Sequence, residues 1–299
     1  MACTRPLHGY AAPGGKISFK DETNSRGHRV PSIIVKCGQC LGCRMERKRG
    51  WAIRAVHEAQ MHEETSFLTL TYDKEHLPKD HSVRVKDWQD FAKRVRKNKG
   101  PFRFFHCGEY GKENLRPHYH ACMFGHDFHG DRTLHDQKGG HPLWISEELS
   151  GLWQNGFSTI GSLSFDSAAY VAGYCVKAKT GEGQKESLER VNFETGEVTI
   201  VKAEYATMSR NKGLGYTWYE KYKDEVYPDD YVVMKGQKFR PPAYYDSLLE
   251  KEDPTLWEKI QQRRQAFVAT NEDYQKPSRL EAKEKVLTAK IQQYSSRTI

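Results

Sequence analysis

The sequence predicts an α+β fold: an antiparallel, five-stranded sheet carrying helices on one face. Three observations predict it. Residues 65–72, Thr-Ser-Phe-Leu-Thr-Leu-Thr-Tyr, alternate apolar and hydroxyl side chains with the period of two that marks a half-buried strand. Residues 102–110 and 118–124 are rich in β-formers, and the connector Gly-Lys-Glu-Asn-Leu-Arg-Pro between them has hairpin length. Residues 44–64 and 86–99 repeat apolar side chains at helical spacing.

Taken in order, residues 9–31 form a polar lead-in punctuated by Gly and Pro, and Ile33-Ile34-Val35 reads as a strand or extended arm. Trp51, Ala52, Ala55, Val56 and Ala59 then share one helical face. The strand at 65–72 follows. Trp88, Phe91 and Val95 define the next helix, whose remaining surface is crowded by Lys93, Arg94, Arg96, Lys97 and Lys99. After the hairpin, residues 125–143 read as a Gly-, His- and Asp-rich loop, followed by a short helix to Trp153 and a strand at 156–160. Asp166 is placed to cap a helix running to about Lys179. A small strand pair at 191–207, a short helix at 218–226 and long charged helices broken at Pro254 and Pro277 complete the chain. These divisions imply an N-terminal arm with its cysteine cluster (1–43), a core (44–230) and a helical C-terminal extension (231–299).

The chain has 299 residues, with 47 Lys and Arg against 39 Asp and Glu, a formal charge of +8 that favours a polyanionic partner, nucleic acid first. Aromatic residues at 12% are too many for a wholly disordered polar chain, so it folds. No apolar run approaches the roughly 20 residues of a membrane helix, and no apolar leader opens the sequence, so a soluble intracellular protein is expected. Seven cysteines, three of them clustered, argue for free thiols or metal over a disulfide framework. No G-x-x-x-x-G-K-[ST] phosphate loop is present, which argues against an ATP-driven motor within this chain.

The sharpest chemical signal is Arg116-Pro117-His118-Tyr119-His120. Strand residues i and i+2 share a face, so His118 and His120 present two imidazoles side by side. Glu109, on the preceding strand, can lie opposite them. Two nitrogens and one carboxylate with positions left open describe a catalytic metal site; a chain with 13 histidines can also place two at this spacing without purpose. The second signal is Tyr170-Val-Ala-Gly-Tyr174-Cys-Val-Lys177. The tyrosines at i and i+4 stack one helical turn apart, and Lys177 at i+3 from Tyr174 can share their face and favour the phenolate. That proximity would give Tyr174 the first attack. Amphipathic tyrosines with rings in the core are the plainer reading.

A His-hydrophobe-His strand followed about 50 residues later by a helical tyrosine pair resembles the HUH endonucleases, and among them the rolling-circle replication initiators. The segments Cys-Gly-Gln-Cys-Leu-Gly-Cys-Arg, Trp-Ala-Ile-Arg-Ala-Val-His-Glu-Ala-Gln-Met-His-Glu, Phe-Leu-Thr-Leu-Thr-Tyr-Asp, Gly-Glu-Tyr-Gly and Arg-Pro-His-Tyr-His resemble the initiators of microviruses, in the gokushovirus branch, over residues 1 to roughly 245. The resemblance implies a ferredoxin-like topology, Mg²⁺ or Mn²⁺ at the histidine pair, and tyrosine attack on a phosphate of single-stranded DNA at a replication origin. Tyr170, Tyr174 and Lys177 would then be catalytic, with His118, His120 and Glu109 as ligands. A host helicase and polymerase would act with the protein in the cytoplasm of the bacterial host, with no membrane involved. A related transposase or relaxase, and a zinc-containing DNA-binding protein without catalysis, are the alternatives.

The cysteine cluster is separate. Cys37-x2-Cys40-x2-Cys43 supplies three thiolates from one loop, and Cys3 in the arm can complete four for structural zinc. Free thiols and an iron-sulfur cluster remain open. Cys107, Cys122 and Cys175 read as small core residues. His126, His129, His135 and His141 form a loose loop set, and the basic groups Arg44, Arg47, Lys48 and Arg49 and Lys93 to Lys99 are candidates for phosphate contacts. Tyr72, Phe104 and Tyr110 are candidates for stacking on bases, although most such rings belong to the core.

Overall fold

A computed structural model describes residues 3–12, 16–19, 32–111, 115–138, 140–175, 188–191, 198–271, 273 and 276–296. In chain order the strands are β1 (Leu7–Ala12), β2 (Lys16–Ser18), β3 (Ser32–Val35), β4 (Thr65–Tyr72), β5 (Arg103–Tyr110), β6 (Pro117–Phe124), β7 (Thr133–Lys138), β8 (His141–Ile145), β9 (Gly156–Gly161), β10 (Glu189–Val191), β11 (Val198–Ile200), β12 (Tyr205–Met208), β13 (Val232–Met234) and β14 (Gln237–Phe239). The helices are α1 (Leu41–Ala59), α2 (Val85–Lys99), α3 (Glu147–Trp153), α4 (Phe165–Tyr174), α5 (Tyr216–Val226), α6 (Ala243–Glu252), α7 (Pro254–Thr270) and α8 (Pro277–Ser296). The chain divides into two compact units, residues 48–248 and residues 1–47 with 249–299.

In the first unit, strands run in the order β12-β5-β6-β4-β9-β8-β7, every pairing antiparallel. Its centre, β5-β6-β4-β9 with α2 between β4 and β5 and α3 before β9, is the ferredoxin-like arrangement. The sheet has seven strands rather than the five expected. The segment 125–143, expected as a loop, contributes the hairpin β7–β8. Its residues Thr-Leu-His-Asp-Gln lack an alternating pattern because they are exposed on both sides, so periodicity gave no sign of a strand. Strand β12, expected in a separate pair, instead lies on the edge beside β5, while β10 pairs with β11.

Helices cover both faces of the sheet, not one. On β6, Tyr119, Ala121 and Met123 pack with Trp88, Phe91, Ala92 and Val95 of α2 and with Leu149, Leu152 and Trp153 of α3. Cys122 and Phe124 point the other way and pack with Ala52 and Ala55 of α1 and Ala168, Val171 and Ala172 of α4. Because β6 is apolar on both sides at this end, both sides need a helix, each buried Leu, Val or Phe contributing about 1.5–3 kcal/mol. Cys107 and Cys122 lie in this second layer as core residues. Tyr72 and Tyr110 are also buried and so are not available to stack on bases.

Helix α4 begins earlier than Asp166 suggested. Ser164 is the cap, accepting from the Ser167 amide while the Ser167 hydroxyl accepts from the Ser164 amide, and Asp166 instead pairs with Lys235 at 2.6 Å. In the second unit, β2-β1-β3 form a small sheet. Pro254 and Pro277 open α7 and α8, where a missing N–H costs nothing. Arg5 pairs with Glu284 of α8 at 3.0 Å.

Candidate functional site

The period of two that builds the second face of β5 and β6 also builds the site. Glu109 shares its face with Phe105 and Cys107, and His118 and His120 share theirs with Cys122 and Phe124. Glu109 lies directly opposite His118, and Thr69 of β4 directly opposite His120. Helix α4 lays Tyr170 and Tyr174 over the same face.

The side chains converge on one oxygen. Glu109 Oε1 is 3.1 Å from His118 Nε2, 2.9 Å from His120 Nε2, and accepts a 2.6 Å hydrogen bond from the Tyr170 hydroxyl. The Tyr174 hydroxyl donates to that of Tyr170 at 3.2 Å. The rings of His118 and His120 stand edge to face, and so do those of His120 and Tyr170. Tyr170 is 42% exposed and Tyr174 only 8%, so the first phenol lies on the solvent side and the second behind it.

Electrostatics follow from burial and pairing. Burial raises the Glu109 carboxyl, but hydrogen bonds from His118, His120 and Tyr170 outweigh it and hold the group at about 2. Burial lowers His118, yet the Glu109 carboxylate and the Arg116 carbonyl raise it overall; His120, more deeply buried, stays lowered. Burial, then the hydrogen bond to Glu109, pushes the Tyr170 phenol up.

The donor set suits a divalent cation. The three ligand atoms of Glu109, His118 and His120 lie within 4.8 Å of one another. Each histidine also has its other nitrogen engaged: His118 Nδ1 is 3.0 Å from the Arg116 carbonyl, and His120 Nδ1 is 3.0 Å from Thr69 Oγ1. A carbonyl can only accept, so His118 Nδ1 carries the proton and Nε2 faces Glu109, the arrangement of metal-ligating histidines. Phe67 stacks on His120 at 5.5 Å and further fixes its ring. Thr69 and Phe67 escaped sequence reasoning as residues that position His120. Their signal, the hydroxyl-lined face of 65–72, becomes specific only once the register of β4 against β6 is known.

Lys177 lies outside the described residues. Lys48 of α1 instead approaches α4, its Nζ resting against Gly173 between the two tyrosines. On α2 many of the cations are already engaged: Lys86 and Lys93 pair with Asp90, Lys99 pairs with Glu148, and Arg94 donates to the carbonyls of Leu152 and Trp153. The loop histidines do not converge among the described residues; His129 groups with Glu64 and Asp127, and His135 packs on Phe157.

The four cysteines do come together. Cys3 Sγ is 3.7 Å from Cys37 Sγ and 3.8 Å from Cys40 Sγ, and the four sulfurs of Cys3, Cys37, Cys40 and Cys43 lie within 4.8 Å of one another. Tetrahedral zinc with Zn–S bonds of about 2.3 Å requires sulfurs about 3.8 Å apart. Backbone amides of Thr4, Cys37 and Cys40 donate to Cys40, Cys3 and Cys37 sulfurs at 3.3, 3.4 and 3.2 Å, as thiolates require when buried. None of the four is in a disulfide.

An antiparallel ferredoxin-like sheet presenting a His-x-His pair, a carboxylate and a helical tyrosine pair defines a class of replication protein, and comparison with known proteins agrees. Residues 65–179 match a family model for the ORF2 class of replication-associated proteins. The chain is 30% identical over 268 residues to replication-associated protein VP4 of Bdellovibrio phage phiMH2K, covering 86% of this chain and 80% of that protein. It is 31% identical over 277 residues to replication-associated protein ORF2 of Spiroplasma virus 4 (84% and 81%), and 28% identical over 229 residues to replication-associated protein ORF4 of Chlamydia phage 1 (74% and 54%). The chain belongs to this family of microvirus-type replication-associated proteins. No solved structure matches it.

Proposed function

We propose that this protein initiates rolling-circle replication by nicking one DNA strand at an origin through a tyrosine nucleophile, holding the 5′ end as a phosphotyrosine and later rejoining the strand. The observation that carries this reading is the 2.6 Å hydrogen bond from Tyr170 to the Glu109 oxygen that also faces His118 and His120. It puts a nucleophile beside a metal-ligand set at the solvent side of the site. Mg²⁺ or Mn²⁺ held by Glu109, His118 and His120 would supply Lewis-acid polarisation of the phosphate and orient it.

The chain's own residues do the rest. The Tyr170 oxygen forms a bond to phosphorus, its proton leaves, and the bond to the 3′ oxygen breaks, that oxygen taking a proton to become a hydroxyl. The new phosphotyrosine ester keeps the energy of the phosphodiester, so a 3′ hydroxyl can reverse the step without ATP. Tyr174 stands behind Tyr170 and serves the second cut once Tyr170 is esterified, an order supported by their unequal exposure and opposite to the one Lys177 suggests. Unwinding and copying would fall to a host helicase and polymerase, in the cytoplasm of the bacterial host. The cysteine set is assigned structural zinc, supported by its sulfur spacing.

The test is incubation of the full chain with circular single-stranded DNA and Mn²⁺, followed by denaturing electrophoresis. A covalent protein-DNA band that EDTA, His118→Ala and His120→Ala each remove is expected. DNA bound but never cut would instead support the non-catalytic zinc-containing DNA-binding protein.

A further inference from the structure

We propose that Phe157, with His135 beside it, is a stacking subsite for an unpaired base of the DNA strand whose phosphate is held at Glu109, His118 and His120. The inference rests on the reading of that site as one that holds a DNA strand.

Register places the ring. Glu109 is opposite His118, His118 is opposite Thr71, and Thr71 is opposite Phe157, so these four residues form one row across β5, β6, β4 and β9. Directly opposed residues of an antiparallel sheet share a face. Phe157 therefore stands on the face of the metal-ligand set, two strand spacings or about 10 Å from His118. The next residues agree with that parity: Ser158 and Ile160 are buried, Ile160 in the layer under α2 and α3. Helix α4 lies against β5, β6 and β12, to the other side of His118 from β9. Phe157 is 50% exposed.

The position is built rather than incidental. Gly156 has φ +139°, a conformation disfavoured for other residues, and a Cβ there would collide with the Asp73 amide and the Thr71 carbonyl. That close approach of β9 to β4 sets Phe157 opposite Thr71. The His135 ring stands 5.4 Å away and tilted by 60°, so the two rings meet at an angle and a planar base can lie on the open face of Phe157. Arg116, at the head of the His118 strand, reaches across to the Tyr72 carbonyl at 3.2 Å and brings a positive charge to the same end of the row. A phosphate-bearing strand running from the metal-ligand set along this row meets a cation, the Thr71 hydroxyl and an aromatic face, the combination that binds single strands without reading their sequence.

The test compares two probes of equal charge, a dT oligonucleotide and a base-free deoxyribose-phosphate oligomer of the same length, binding the full chain in EDTA so that nothing is cut. Phe157→Ala should weaken dT binding about 5- to 100-fold and leave the base-free oligomer within about twofold. Phe157→Trp should hold dT at least as tightly as the wild type, which guards against a folding defect. No change with dT, or equal loss for both probes, overturns the subsite. Failure of the wild-type chain to bind either probe overturns the DNA-strand reading itself, and the subsite with it.

Discussion

Replacing Glu109 with Gln in the metal-free chain isolates the electrostatics of the site. Gln keeps an oxygen where His118, His120 and Tyr170 converge but removes the charge. Holding the carboxyl at about 2 against an ordinary 4.5 corresponds to about 3 kcal/mol of stability, and since Gln still accepts hydrogen bonds the expected loss is about 2 kcal/mol. The sign can be worked out group by group. A depressed carboxylate stabilises the fold above 4.5 and loses that contribution as pH falls through about 2. His118 is raised, so its contribution is present below 6.5 and disappears as pH rises through its folded value. The gap between wild type and Glu109→Gln should therefore be widest between pH 4.5 and 6.5 and close towards pH 2. Urea unfolding in EDTA, followed by tryptophan fluorescence at several pH values, measures it. Coincident curves across the range, or a gap that widens towards the acid end, would refute the charge-paired account.

Three further outcomes are expected. Thr69→Val removes the partner of His120 Nδ1 and should weaken Mn²⁺ binding about 10- to 100-fold by titration calorimetry, without unfolding the chain; unchanged affinity would leave Thr69 without a positioning role. Gly156→Ala should cost about 1–3 kcal/mol in thermal or urea unfolding, and a neutral result would mean that β9 is free to shift against β4. Purified chain should hold about one zinc that survives mild chelation and is lost in Cys37→Ser; native protein with no zinc and all seven thiols titratable would remove the assignment.

Much of the site was legible because it is written in local periodicities. His118 and His120 at i, i+2 and Tyr170 and Tyr174 at i, i+4 need only a strand and a helix to share their faces, and both elements formed where the pattern placed them. Glu109 was found from hairpin length alone, since a turn between two strands fixes which residues meet. Thr69, Phe67 and Arg116 were not, because they belong to register and backbone rather than pattern: one contributes a hydroxyl, one a ring face, one only its carbonyl to His118. The fold follows the same division. Helices with a clear apolar stripe, such as Trp88, Phe91, Ala92 and Val95, were evident, whereas the exposed hairpin β7–β8 had no buried side to mark it. The second helical layer could have been read from β6, where Tyr119, Ala121 and Met123 alternate with Cys122 and Phe124, apolar on both sides. Capping by Ser164 rather than Asp166 turned on a choice between neighbouring polar side chains, a distinction that depends on the backbone of the preceding strand.

The central claim is that a tyrosine of α4 becomes covalently joined to DNA beside Glu109, His118 and His120. Its most direct test is mass spectrometry of the full chain after reaction with circular single-stranded DNA and Mn²⁺ and digestion of the DNA, with fragmentation to locate the attached nucleotide. A 5′-phosphate ester on Tyr170 in the first turnover, joined by one on Tyr174 only as the reaction proceeds, is the predicted result. DNA cut with no nucleotide on either tyrosine, or an ester that forms equally well in His118→Ala and His120→Ala chains, would contradict it.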